Sequence, residues 1–233
     1  MALILCIDTS INIASISLAN DGFVIAKEIN TDSKSHGSFI QNAIAKVFAD
    51  AEKKLQEVDV IAVVNGPGSY TGLRVGLSTA KGLCFALNKP LVLLNTLELL
   101  AQTVINQSKS IETVGEFENV LFCPMIDARR MEVFSAIYDV DLNVVIPPAA
   151  VILTPSMFDH LLDKFKMVVM GNGHQKLKEI LTHSKILYIE ETNIINTIPL
   201  MAEKFICENR MADLAYCEPF YIKDVYFAEK SKI

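Results

Sequence analysis

The sequence predicts an α/β protein of two similar lobes, each a mixed sheet flanked by helices in a duplicated ββαβα-type order. Three observations predict it. Residues 3–7 and 120–126 are short apolar runs that each end in an aspartate, Asp8 and Asp127. Each run is followed by strand-like segments suited to an antiparallel meander, and then by helices and further buried runs. Between the two copies, from about Gln107 to Glu118, the chain turns polar. The lobe boundary is placed there, giving residues 1–107 and 108–233 as the two domains. Two copies of such a unit facing each other make the actin-like arrangement, also described as ASKHA or ribonuclease H-like.

In the first copy, the run 3–7 is followed by Ile13 to Ala19, the dipeptide Asp21-Gly22, and Phe23 to Ile29. Asp-Gly between apolar runs is a hairpin signal, because both residues accept positive φ. Ile40, Ile44, Val47, Phe48, Ala51 and Leu55 then recur every three or four residues, as one face of an amphipathic helix requires. Val58 to Val64 reads as a buried strand, and Asn65-Gly66-Pro67-Gly68-Ser69 as a tight turn and N-cap. A helix follows from about Thr71 to Leu87, a strand from Pro90 to Asn95, and another helix from about Thr96. In the second copy, strands are expected at 120–126, Met131 to Val140, Asn143 to Ile146, Met167 to Met170 and Ile186 to Ile189.

Apolar residues make up 51% of the 233, enough for ordinary cores without disulfides or metals. The five cysteines show no CxxC spacing and sit mostly in apolar runs, where a thiol acts as a small hydrophobe. That fits a reducing cytosol. The first seven residues carry no basic segment, and no apolar stretch reaches the ~18 residues of a membrane span, so neither export nor an anchor is expected. With 21 basic and 27 acidic residues, net charge −6, the chain lacks the charge that drives binding to a phosphate backbone. Contact with nucleic acid is expected only through a partner.

Two constellations could carry chemistry. Asp8-Thr9-Ser10 ends the first strand, where a carboxylate and hydroxyls could face a nucleotide and its metal. The simpler account is a turn that satisfies its own backbone, as short polar side chains do. The turn at Gly66, Gly68 and Ser69 feeds a helix N-terminus, which suits a phosphate. It is no Walker P-loop, because no G-K-[ST] follows and Lys81 lies too far along the helix. A strained strand–helix connection explains the same glycines equally well. Within the helix, Gly72, Gly76, Ala80 and Cys84 recur every four residues, leaving one face almost without bulk. Such a face serves either packing within the lobe or a subunit interface. His36, His160, His174 and His183 show no metal-binding spacing, and Ile40 stands where a second ligand after His36 would be. No metal site and no catalytic residue are predicted.

Ile7-Asp8-Thr9-Ser10, Ser35-His36, the stretch from Gly66 to Gly76, and Thr79-Ala80-Lys81-Gly82-Leu83 resemble the bacterial TsaB family, also called YeaZ. Asp127-Ala128-Arg129 with Glu132-Val133-Phe134, and Glu218-Pro219-Phe220-Tyr221-Ile222-Lys223, resemble its signatures too. Tyr70 stands where the family often has Phe, Gly37 where Ser is usual, and Lys223 where Arg is common. The resemblance implies a non-catalytic scaffold that binds a TsaD-like catalytic subunit, with a TsaE-like ATPase and a threonylcarbamoyl-adenylate synthase. Together they would form threonylcarbamoyladenosine on tRNAs that read codons beginning with A. It implies partner contact through the first two helices, nominating Ile40, Ile44, Val47, Gly72, Leu73, Gly76 and Ala80, with a homodimer on the same surface when alone. No cofactor is expected to be required; weak ATP or ADP binding at Asp8, Thr9, Ser10, Gly66, Gly68 and Ser69 is the one cofactor expectation. The alternative functions are an actin-like ATPase or kinase using Asp8 and the 66–69 turn, and a metallopeptidase, which the missing ligand pair argues against.

Overall fold

Alternating burial along the central strands divides the core into three layers. In the computed structural model, which describes residues 2–31, 36–110 and 119–223, the first strand β1 (Leu3–Asp8) is buried on both faces. It pairs antiparallel with β2 (Ala14–Asn20), and β2 pairs with β3 (Phe23–Asn30). The β2–β3 turn has positive φ at Asp21 and Gly22, as its sequence requires. Helix α1 (His36–Asp50) leads through a 3₁₀ turn at Leu55–Glu57 to β4 (Val60–Gly66), which lies parallel to β1. Helix α2 (Tyr70–Leu87) returns to β5 (Leu91–Asn95), parallel to β4. Helix α3 (Thr96–Ser110) ends the first unit, with the Asn95 side chain accepting from the Leu97 and Glu98 N–H groups at its start.

The second sheet repeats this topology. β6 (Val120–Asp127) pairs antiparallel with β7 (Glu132–Tyr138), which pairs with β8 (Val144–Ile152). Beyond the short α4 (Asp159–Leu162), β9 (Lys166–Met170) lies parallel to β6. Then come α5 (His174–Ile180), β10 (Ile186–Tyr188) and α6 (Thr197–Cys207). The sheet orders are β3-β2-β1-β4-β5 and β8-β7-β6-β9-β10, strand for strand the same. The duplicated α/β fold with two mixed sheets is therefore the observed one.

Alternate residues of β1 and β6 serve different layers. Leu3, Leu5 and Ile7 pack beneath α1 and α2, whereas Ile4 and Cys6 join a cluster shared by both sheets, α3 and α6. In β6, Leu121 and Cys123 face a third cluster, with Leu162 of α4 and Leu177 of α5, and Val120 and Phe122 face the shared one. Burial pushes the Cys6 and Cys123 thiols up to about 12, so both behave as hydrophobes. Cys207 departs from that expectation and is exposed. Among the described residues no helix is long and apolar enough to cross a membrane.

Several elements differ from the sequence expectation. β8 runs on to Ile152 through Pro147 and Pro148, which edge position permits because the open side needs no N–H donor. β4 starts at Val60, two residues later than expected. The polar stretch used to place the lobe boundary lies largely outside the described residues, and α3 continues to Ser110. Helix α6 packs against β1, β4 and β5 of the first sheet, and the chain after it follows the first lobe.

Candidate functional site

The duplication brings two similar turns face to face across a cleft of 1140 Å³. In the first lobe, the end of β1 meets the turn after β4. The Asp8 carboxylate, 3% exposed, accepts from Ser10 N (2.9 Å) and Ser10 Oγ (2.7 Å). Thr9 Oγ1 donates to Gly72 O at 2.7 Å, and Ser69 N donates to Ser10 O at 2.6 Å. A Cβ on Gly68 would stand 2.0 Å from Ser10 O, so the two turns touch backbone to backbone. Ser69 caps α2 by accepting from Gly72 N at 3.3 Å.

Of the residues nominated for a nucleotide, Ser10, Gly68 and Ser69 border the cleft, whereas Asp8, Thr9 and Gly66 lie behind it. Asp8 and Ser10 hydrogen-bond to each other within the turn. Ser35 lies outside the described residues.

In the second lobe the equivalents are Asp127-Ala128-Arg129 and Gly171-Asn172-Gly173, which sequence reasoning left unassigned as a pair. The signal was available: laid over the first lobe, Gly171-Asn172-Gly173 after β9 matches Gly66-Pro67-Gly68 after β4. Both leading glycines have positive φ, 121° and 89°, and each abuts a backbone carbonyl, Phe220 O and Met125 O. Asn172 Oδ1 accepts from Asp127 N at 2.9 Å.

Charges along this side are matched within the chain. Lys176 Nζ reaches Asp127 at 2.7 Å, Lys223 contacts both Glu132 oxygens at 2.6 and 2.7 Å, and Lys178 meets Glu190 at 2.5 Å. His174, 2% exposed, holds Gly171 O (2.7 Å) and Glu190 (3.2 Å) on its two ring nitrogens. The cleft wall thus carries Asp127, Glu132 and Glu190 against Arg129 and Lys223. A polyphosphate there would meet carboxylates and would compete with existing ion pairs, unlike in a site built to focus positive potential. Among the described residues no group of three His, Cys, Asp or Glu side chains could hold a metal ion. Ile40, at the position a second histidine ligand would take, lies on the sheet-facing side of α1 and is fully buried.

Partial burial works to raise the Asp127 pKa, but the Lys176 ammonium, the Arg129 N–H and the charges of both residues outweigh it and hold it below the usual aspartate value. A lowered folded pKa adds stability that is complete above the unfolded value, about 3.9, and fades as pH falls through the lowered one. Asp127→Asn is therefore expected to lower stability at neutral pH and to flatten its loss below about pH 4, read by acid titration of the unfolding midpoint.

The structure places the residues nominated for partner contact in the core of the first lobe. Ile40, Ile44, Val47, Gly72, Leu73, Gly76 and Ala80 are all buried within the chain. The glycine face of α2 lies on β1: a Cβ on Gly72 would stand 2.0 Å from Thr9 O, and one on Gly76 would stand 2.4 Å from Thr9 Oγ1. An amphipathic helix turns such a face to its own sheet and leaves the opposite face to solvent. On α2 that face carries Thr71, Arg74, Ser78, Gly82 and Phe85, with Phe85 84% exposed. On α1, packed beside it, Gln41, Asn42, Ala45 and Ala49 are exposed.

A sequence profile described as TsaD, tRNA N6-adenosine threonylcarbamoyltransferase, matches residues 24–217. The chain is 33% identical over 153 residues to the tRNA threonylcarbamoyladenosine biosynthesis protein TsaB of Bacillus subtilis, covering 64% of this chain and 62% of that one. It is 24% identical over 229 residues to TsaB of Escherichia coli, covering 95% and 94%. A crystal structure from Pseudomonas aeruginosa, of an uncharacterized protein with similarity to peptidase YeaZ, superposes with a TM-score of 0.78 at 21% identity. That superposition covers 96% of this chain and all of the other.

Proposed function

The chain belongs to the tRNA N6-adenosine threonylcarbamoyltransferase (TsaD) family, on its TsaB/YeaZ side, and from that membership we propose that it is a non-catalytic accessory subunit of tRNA threonylcarbamoylation. The observation that carries the non-catalytic part is the Asp8 turn. The carboxylate that would serve phosphoryl chemistry is 3% exposed and holds Ser10, and the facing glycine turn is closed against it. Its role is to bind a TsaD-type catalytic subunit and hold it in a productive form, with a TsaE-type ATPase as further partner. The setting is the cytoplasm, tRNA is met through those partners, and the chain requires no cofactor of its own.

The docking face is the outer side of α1 and α2. Small residues at Ser78 and Gly82 let another helix approach closely, and Phe85 offers an apolar anchor. Alone, the protein uses the same face to form a homodimer. Gel filtration with the TsaD-type subunit of the same cell tests this: co-elution supports the reading, and separate elution at micromolar concentrations contradicts it.

The alternative, an ATPase or kinase, draws on the cleft's volume. The matched charges on its wall favour nucleotide binding no tighter than about millimolar, a free energy near −4 kcal/mol. Calorimetry with ATP and magnesium reads this directly, and a micromolar Kd would restore the ATPase reading.

A further inference from the structure

Past α6 the chain runs back along the first lobe as a strap with one turn at 214–216. Ala212 N donates to Leu91 O at 2.8 Å, and Lys81 of α2 donates to the carbonyls of Ala215 (3.5 Å) and Cys217 (3.1 Å). Phe220 N donates to Asn65 O at 2.7 Å. The Tyr221 ring lies 5.1 Å from that of Tyr70, and its hydroxyl accepts from Arg74 Nε at 3.0 Å. Arg74 itself lies over the Tyr70 ring at 4.1 Å. Two residues on, Lys223 leaves the first lobe and grips Glu132 of β7, in the second, through both carboxylate oxygens.

We infer that residues 218–223 form a latch that sets the angle between the lobes and links the outer face of α2 to the Glu132 side of the cleft. The argument is one of reach. Tyr221 and Lys223 are two residues apart, so their Cα atoms stand at most about 7 Å apart, and only the reach of the two side chains adds slack. Opening the cleft by more than a few ångströms must break the Lys223–Glu132 pair or the Arg74–Tyr221 bond. Arg74 is exposed on the outer face of α2, so a molecule that engages it acts on the lobe-1 anchor of the strap. The fork at Glu132 would also suit a guanidinium, whose paired N–H groups match a carboxylate. Lys223→Arg should therefore keep the latch.

The test is hydrogen exchange by mass spectrometry on the full chain, comparing Lys223→Ala, Arg74→Ala, and the charge-swapped pair Glu132→Lys with Lys223→Glu. Opening exposes amides in proportion to the open population, so Lys223→Ala is expected to speed exchange about fivefold in both β7 and the segment 65–74. Arg74→Ala, made in the first lobe, is expected to speed exchange in β7 of the second, and the swapped pair to return it to within about twofold of wild type. Should Arg74→Ala lower overall stability, Tyr221→Phe removes the same hydrogen bond while keeping the ring. Effects confined to the substituted lobe, or a swapped pair as fast as Lys223→Ala, would overturn the latch.

Discussion

Gly72→Ala is expected to destabilise the protein by about 3 kcal/mol, lowering its unfolding midpoint by roughly 6–12 °C for a chain of this size. The added methyl would stand 2.0 Å from the backbone oxygen of Thr9, an atom that cannot turn aside as a side-chain end would. The Gly72 carbonyl also accepts from Thr9 Oγ1, so displacing the helix costs a buried hydrogen bond as well. Against this stands only the better helix propensity of alanine, worth about 1 kcal/mol. Gly82, one face away on the same helix, has nothing within 4 Å of its missing Cβ. Gly82→Ala should therefore stabilise by up to about 1 kcal/mol. Opposite signs from two glycines in one helix, measured by thermal unfolding, would place the glycine face inside the lobe. Equal effects would not fit the packing described.

Ser78→Arg is expected to weaken binding of the TsaD-type subunit about 100-fold or more, ~2.7 kcal/mol, while moving the unfolding midpoint little. Ser78 is exposed midway along the outer face of α2, where a long charged side chain holds a partner helix away. Phe85→Glu should act alike, since the ring is almost wholly in solvent in the free chain and adds little to its fold. Gly76→Arg would not serve this purpose, because its side chain would enter the Thr9 contact and unfold the lobe. Titration calorimetry with each variant reads the effect. Wild-type affinity in both would move the interface elsewhere.

The duplicated sheet was legible in the sequence because its strands announce themselves locally. Residues 3–7 and 120–126 are apolar throughout, since both faces of β1 and β6 are covered, and each ends at an aspartate that turns the chain. The helix periodicity at Ile40, Ile44 and Val47 was equally clear, but periodicity names the apolar face without saying what covers it. Here the chain's own sheet does, and the outer side proposed for the partner is the less patterned one. The stripe at Gly72 and Gly76 was ambiguous for the same reason: close approach reads alike in sequence whether the neighbour is β1 or another subunit.

The second-lobe wall of the cleft was harder to see. Asp127 and Glu132 of the β6–β7 turn, Lys176 and Lys223 are brought together from three separate stretches, and the pairings across 49 and 91 positions have no local signature. The strap carries little periodicity, so its course along α2 follows from tertiary contacts such as Lys81 with Cys217 O.

Transfer of the threonylcarbamoyl group to tRNA, reconstituted from the TsaD-type subunit, the TsaE-type ATPase and the adenylate synthase, tests the central claim most directly. The accessory-subunit reading predicts little product without this protein, full activity when it is added, and none when it is the only protein present. Equal product in its absence, or product from this chain alone, would contradict it.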